Sequence, residues 1–529
     1  MKTMKWVGLA GTGLLGVTLL AQSIFVPTAF SESAATVEVT SAIKHDVSPP
    51  LRTLKARVTR SPQRVKPLRL TSPLGVSGKA GPDGAIQSSV AGSLVKIPTP
   101  ILNFAGIGQG DYGFSPFFAP PDTIGAVGAT QYVQSVNVDF AVFNKITGAI
   151  VMGPVPNNTL WSGFGGGCEF NNDGDPIVAY DKAAKRWVIS QFSVSTTPFL
   201  QCVAVSTTSD ATGSYNRYAF SYGNVQFNDY PKMGVWPDGY YISFNIFNNG
   251  FTFAGPKICA YDRAKMLVGQ PAKQQCRQLG TSIGSLLPSD LDGKTAPPVG
   301  SPNYVLSFGT NKLRLWKFKV DWVTPGNTTL TGPTNIPVAA FSPACGGGAC
   351  IPQLGTTQRL DSLGDRLMHR LAYRNRAGTE SLVVNHSVAV GSGAGVRWYE
   401  LRLAGGSASV FQQSTFAPDS TSRWMGSIAM DKLGNIAVGY SASSAAINPA
   451  IRYTGRLVTD PLNTLQAEKS IIAGSGSQTG GLERWGDYSA MTVDPVNDCT
   501  FWYTTEYLKA SGSFNWSTRI AKFRFPSCK

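Results

Sequence analysis

Short apolar runs of four to six residues alternate along this chain with tight polar turns, and the pairing of runs repeats. Each unit has a first run rich in small residues, a turn carrying Asp, Asn, Gly or Pro, and a second run rich in aromatic and β-branched residues. The pairs are 123–128 with 132–136, 176–181 with 187–192, 232–239 with 240–244 and 298–303 with 304–308, followed by 370–375 with 381–386, 427–431 with 435–440 and 483–495 with 501–505. Runs this short and this β-branched predict strands, and the turn residues predict hairpins. The turns fall near Gly128, Asp181, Asp238, Pro302, Asn375, Asp431 and Asp494, so the period is 53 to 73 residues.

After each pair there is room for two further strands, as at 202–206 and 215–220. Four short strands per unit, seven times over, predict an all-β chain folded as a seven-bladed β-propeller across 95–529. The first strand of each blade then lines a central channel, and residues 95–104 supply the outer strand of the last blade beside 517–523. Composition agrees. Only 15% of residues are charged while 11% are aromatic, and 57 Gly and 34 Pro leave little room for long helices.

The first 100 residues read differently. Lys2 and Lys5 precede an apolar stretch at 7–20, and Ala29 to Ser31 offers a small-residue cleavage site, so 1–31 is predicted to be a signal peptide. No other run is long enough to span a membrane once that segment is removed. Residues 32–94 are rich in Ser, Pro and basic side chains without a period, and predict a disordered basic linker. Ten Lys/Arg stand against four Asp/Glu over 32–100, a large part of the net charge of +15. Eight cysteines fit export to an oxidising compartment, extracellular or periplasmic. Proximity pairs Cys168 with Cys202, Cys259 with Cys276, Cys345 with Cys350, and Cys499 with Cys528, the last pinning the closing blade.

Charged residues are few, and many stand where the chain enters a first strand: Asp122, Asp175, Asp229, Asp365, Arg366, His369, Arg370, Arg423, Arg484 and Asp487. In a propeller these entries surround one mouth of the channel, joined there by Asn245, His386, Glu506 and Tyr507. Carboxylates beside arginines are the groups that acid/base work on a glycosidic bond requires, and they assign Asp122, Asp175, Arg423, Arg484 and Asp487 as the catalytic set of an enzyme. Asp229, Arg366, His369, His386, Glu506 and Tyr507 are then ligand-binding candidates. Asn172, Asp173 and Asp175 carry oxygen ligands around Gly174, as a calcium loop does, but lack the spacing of an EF-hand. No other cofactor is predicted. No phosphate-binding glycine loop, serine nucleophile motif or zinc-type cysteine pair occurs.

The segments Pro121-Asp122-Thr123-Ile124-Gly125, Gly174-Asp175-Pro176 with Tyr180-Asp181 and Arg186-Trp187, and Arg484-Trp485-Gly486-Asp487-Tyr488 resemble those of a group of exported bacterial proteins similar to the sialidase-like seven-bladed propellers. The resemblance spans roughly 95–529 and implies that fold. The Asp boxes usual in sialidases are missing. The sequence therefore favours a secreted, monomeric binding module for carbohydrate, protein or a cell-surface polyanion, without specific nucleic-acid recognition. The alternative is a sialidase-like glycoside hydrolase or lyase using the channel-mouth carboxylates and arginines.

Overall fold

A computed structural model describes residues 36–56, 62–71, 83–87, 90, 92 and 96–529. The predicted signal peptide lies outside the described residues. The chain is all-β: helical segments among the described residues do not exceed five residues. None is long and apolar enough to cross a membrane.

Six four-stranded antiparallel units follow the sequence in simple meander order, beginning with Ile124–Val127, Gln131–Ser135, Asp139–Asn144 and Ile150–Pro156. The first strands of the following units are Ile177–Asp181, Gln226–Val235, Leu287–Asp292, Met368–Arg376 and Ser422–Met430. A seventh unit is completed from the other end of the chain. Ala490–Val493, Phe501–Leu508 and Trp516–Phe523 are joined by Leu102–Ala105, with Ile520 opposite Phe104 and Lys522 opposite Leu102. This is the closing strand predicted from sequence, shortened to its last residues.

The first strands adjoin one another in sequence order, and the last adjoins the first. Between the fourth and fifth the approach is close enough for parallel pairing, Ser289 opposite Leu371 and Asp292 opposite Arg374, which merges two units into one eight-stranded sheet. The last and first units are tied by Gln134, whose amide donates to Thr504 and Thr518, and by the stack of Tyr132 on Trp502 at 5.1 Å. Sheets covered on both faces have no polar side, and runs such as Leu200–Ser206 are buried at every position. Among the described residues eight tryptophans are fully buried, Trp161 of a short helical turn among them. Phe114, Phe118 and Phe164 are buried as well.

One expectation is corrected. The fourth first strand is Leu287–Asp292, and 298–302 is a loop. Pro298 and Pro302 have no N–H to give a ladder, and Val299 is fully exposed. The disulfides pair as predicted at all four places, with Cys259 and Cys276 opposite each other on adjacent strands. Cys499–Cys528 closes the loop holding the last two long strands, with a sequence separation of 29. Replacing both by serine is expected to cost about 2–4 kcal/mol of stability, because the unfolded chain regains that loop's freedom. An unchanged urea midpoint relative to the parent would show that the bridge is dispensable.

The segment read as a linker is, in its described parts, bound to the sheets. Glu38–Ser41 adds a fifth strand to the third sheet and Lys44–Val47 a fifth strand to the second. Edge strands offer unpaired N–H and C=O groups, and a polar strand covers them without needing an apolar face of its own. Buried Lys257 and Arg217 fix the register by pairing with Glu38 and Asp46 at 2.7 and 2.6 Å. Further on, Arg64–Val65 runs parallel to Phe118–Ala119, Ile86 bridges to Thr415, and the Asp83 carboxylate pairs with buried Arg397.

Candidate functional site

At the entry to six of the units one residue other than glycine takes a left-handed backbone conformation: Asp122, Asp175, Tyr230, Leu363, Met425 and Asp487, with φ between 43° and 58°. Such a residue costs about 1 kcal/mol and re-aims its side chain. Three of the six are aspartates, and together with Asp229 their carboxylates converge on one point. That point holds an ammonium group, the Nζ of Lys66.

Lys66 donates to both oxygens of Asp175, at 2.6 and 2.5 Å. Asp487, Asp122 and Asp229 stand 3.5, 3.6 and 3.7 Å from the same nitrogen. Lys66 is 8% exposed and Asp122 and Asp175 are 0% exposed. Burial by itself would lower the lysine, but the carboxylates of Asp175, Asp122, Asp229 and Asp487 outweigh it and hold Lys66 far above its ordinary range. Burial pushes Asp122 well up, and Asp175 up, with Lys66 pulling both back. Asp122 makes no hydrogen bond with either oxygen. Asp487 goes the other way: Arg484, Lys66 and Arg366 overcome its burial and hold it below the usual carboxylate value.

A second layer supports the ring. Arg484 pairs with Asp487 and lies with Nε 2.9 Å from Asp361 Oδ2, a charge contact at an angle unsuited to a hydrogen bond. Arg366 binds Asp365 at 2.7 and 2.9 Å and spreads its guanidinium over the ring of Tyr230 at 4.5 Å. Below Lys66, buried Lys232 lies 3.3 Å from the ring centre of Tyr230 and 3.8 Å from that of Tyr488. Its burial lowers it to about 7. His369, fully surrounded, is likewise lowered by burial and by its cationic neighbours Lys232 and Arg370.

The segment carrying Lys66 crosses this mouth as a strap. The Lys66 N–H donates to Ala119 O at 2.7 Å, Arg69 caps the ring of Phe227 at 4.5 Å, and Thr71 donates twice to Asp365. Between the first strands lies a cavity of about 20 Å³ lined by Ala126, Val178, Met233, His369 and Thr492. At the far ends of the first strands is a funnel of about 660 Å³. Its floor is Tyr180, Val235, Trp236, Leu291 and Pro495, and its rim carries Lys182, Lys185, Arg263 and Lys294. Lys182 is held by Asp292, and Arg263 by Asp181 at 2.6 Å. Lys185 and Lys294 are exposed and have no carboxylate partner among the described residues.

The structure thus brings together Asp122, Asp175, Asp229, Arg366, Arg484 and Asp487, with His369 below and Glu506 behind. Burial drives Glu506 well above its ordinary value, and its carboxyl accepts only from Gly486 N at 3.3 Å. Three candidates lie elsewhere. Arg423 is fully buried between Asp419 and Glu468, because at this entry the left-handed residue that reaches the axis is Met425, two positions on. His386 hydrogen-bonds Tyr399 at 3.0 Å and packs on Phe341, and Tyr507 belongs to the core with Tyr453 and Ile97. The calcium loop also separates. Asp173 accepts from the N–H groups of Val194 and Ser195, Asn172 donates to Val138 O, and Asp175 holds Lys66. Among the described residues no group of three or more His, Cys, Asp or Glu is placed to hold a metal ion. Lys66, Arg69, Lys232, Tyr230, Tyr488 and Asp361 were not anticipated. The one available signal was the Asp-Tyr pair shared by 229–230 and 487–488.

No family model and no curated protein matches the chain. Among solved structures it is similar to an α-L-arabinofuranosidase from Lactobacillus brevis, at 10% identity over 66% of this chain and 90% of that one, TM-score 0.29. A polysaccharide lyase of family PL25, an ulvan lyase, aligns at 12% identity over 82% and 97%, TM-score 0.32. The Hadza microbial sialidase Hz136 aligns at 11% identity over 76% and 75%, TM-score 0.25. At these values the likeness assigns neither a fold family nor a substrate.

Proposed function

We propose that the seven units form a closed seven-bladed propeller and that the protein is an extracellular binding module whose ligand is an anionic carbohydrate. The succession of first strands, with the last against the first, supports closure. Four disulfides fit an oxidising, extracellular or periplasmic setting.

The observation that carries the reading is the funnel. About 660 Å³ is the size of a cavity that takes a ligand of a few rings. Its apolar floor suits the C–H faces of sugars, and Lys185 and Lys294 supply uncommitted positive charge at the rim for a carboxylate or sulfate. The acidic mouth speaks against a hydrolase or lyase working there. Asp122 and Asp487 are 0% and 2% exposed, and Lys66 stands between them in the place of a substrate. Carboxylates so placed hold a cation and have no access to a glycosidic oxygen.

Calorimetric titration with uronate-bearing or sulfated oligosaccharides is expected to give saturable binding that weakens as salt is raised. Lys185→Glu with Lys294→Glu is expected to weaken it at least tenfold, since each substitution places a like charge beside the ligand (about 1.4 kcal/mol per factor of ten). Equal binding of neutral oligosaccharides, or a double variant that binds like the parent, would overturn the reading.

A further inference from the structure

We infer that the four-aspartate ring is a receptor site for a primary ammonium group on a slender alkyl stem, filled in this chain by its own Lys66 and able to take the same group from a separate ligand. The ring lies at the opposite end of the first strands from the funnel, and its role stands independently of what the funnel binds.

The ring offers more than one lysine can use. An ammonium has three N–H donors. The two observed bonds of Lys66 both go to Asp175, while Asp122, Asp229 and Asp487 each bring an oxygen to within 3.5–3.7 Å. Both oxygens of Asp122 and Oδ1 of Asp229 are buried without a hydrogen-bond partner. A latch serving only to hold the strap needs one carboxylate, and each further buried one is a cost. Three of the entry residues, Asp122, Asp175 and Asp487, also take the left-handed conformation at φ 47°, 44° and 58°, so backbone energy is spent on aiming these groups. The walls suit a cation on a thin stem: the Phe192 ring centre is 5.9 Å from Nζ, and Tyr230 and Tyr488 close the floor.

Beside Lys66 itself, the strap is held by the pairing of Arg64 and Val65 with Phe118 and Ala119, by Arg69, 3.6 Å from Asp229, and by Thr71 on Asp365. Along one side of the strap runs a hollow of about 320 Å³ lined by Val65, Pro67, Leu68, Gly481, Leu482 and Phe514. The segment therefore lies in a trough that it does not fill, while the aspartates are fixed by the sheets beneath.

The test uses the full chain carrying Lys66→Ala, which empties the ring and keeps its carboxylates. Thermal unfolding is followed against n-butylammonium chloride, with tetramethylammonium chloride and sodium chloride at equal ionic strength. A saturable rise in Tm of several degrees with n-butylammonium alone, absent in the parent and in Lys66→Ala with Asp175→Asn, is the expected result. A rise equal in all three salts, or none, overturns the inference. If Lys66→Ala does not fold without a cation, the yield of folded protein on refolding takes the place of Tm with the same three salts. A higher yield with n-butylammonium alone then supports the inference, and an equal yield in all three overturns it. Repeating the titration with Nα-acetyl-lysine amide and with putrescine distinguishes a peptide lysine from a free diamine, by which of them half-saturates at the lower concentration.

Discussion

An Arg484→Met variant is expected to lose about 3–5 kcal/mol of stability at neutral pH, a large fraction of what a folded domain has to lose. Arg484 is 6% exposed and faces two buried carboxylates, Asp487 and Asp361. Methionine keeps the apolar stem but not the guanidinium, so the loss is chiefly one of charge and of the bonds the guanidinium makes. The two partners do not respond alike. Burial holds Asp361 up at about 7 even with Arg484 beside it, so without the arginine it takes a proton and becomes neutral. Asp487 is held below its ordinary value by Arg484 first and then by Lys66 and Arg366, so without Arg484 it keeps two cations and loses the largest offset to its burial. Adding Asp487→Asn to Arg484→Met is therefore expected to recover part of the loss, while Asp487→Asn in the parent is destabilising. Urea unfolding of the four proteins measures the coupling. Losses that simply add would show that the pair contributes nothing as a pair. The acid limb follows. A carboxyl held below its unfolded value contributes stability that is present above about pH 4 and lost as pH falls through the folded value. That part of the parent's acid limb is expected to shrink in Arg484→Met.

The repeating part of the fold was legible because it depends on local pattern. Runs such as Ile177–Asp181 and Ile436–Ser444 carry their strand character in their own side chains, and disulfides between near neighbours need little long-range knowledge. The fourth first strand was misread because Tyr304 to Phe308 is apolar and preceded by a turn, whereas Leu287–Asp292 begins with Leu-Pro-Ser-Asp and looks like a loop. The candidate site was half legible. Acidic entries marked Asp122, Asp175, Asp229 and Asp487, but distance from the axis is set by which residue turns left-handed, and that is Met425 where Arg423 was expected. Lys66 was beyond reach. In Arg-Val-Lys-Pro-Leu-Arg it looks like any solvated basic residue, and its four partners lie between 56 and 421 positions along the chain. Only the packing of first strands from distant parts of the chain brings them together.

Lys232→Met is expected to make the protein more stable at and below neutral pH, and the gain is expected to vanish in alkali. Lys232 is 1% exposed, its ammonium donates only to its neighbour Pro231 O at 2.8 Å, and its other company is the faces of Tyr230 and Tyr488. Asp175, Asp122 and Asp487 pull its proton affinity up while Lys66 pushes it down, and burial prevails, leaving it at about 7 against about 10.4 in an unfolded chain. Between those values the unfolded state binds the proton and the folded state does not, so stability rises with pH across that window. Below pH 7 both states are charged and the penalty is complete, about 5 kcal/mol as an upper bound. Asp139 and Asp361, both held up at about 7 by burial, act in the opposite sense, but only between about pH 4 and 7. Lys66 and Tyr230, both raised, lower stability only above about pH 10. Asp122 and Glu506, pushed well up by burial, also act in that opposite sense, so the contribution of Lys232 is read as the difference between the parent and Lys232→Met. Methionine has the right volume, and its sulfur packs well between two aromatic faces. Urea unfolding at pH 6, 7, 8 and 9.5 is expected to show Lys232→Met more stable than the parent at pH 6 and 7, with the difference shrinking as pH rises and the two converging at the alkaline end. Parallel series would mean that Lys232 keeps its proton throughout, and that the two tyrosine rings and the aspartates above them solvate the charge as well as water does.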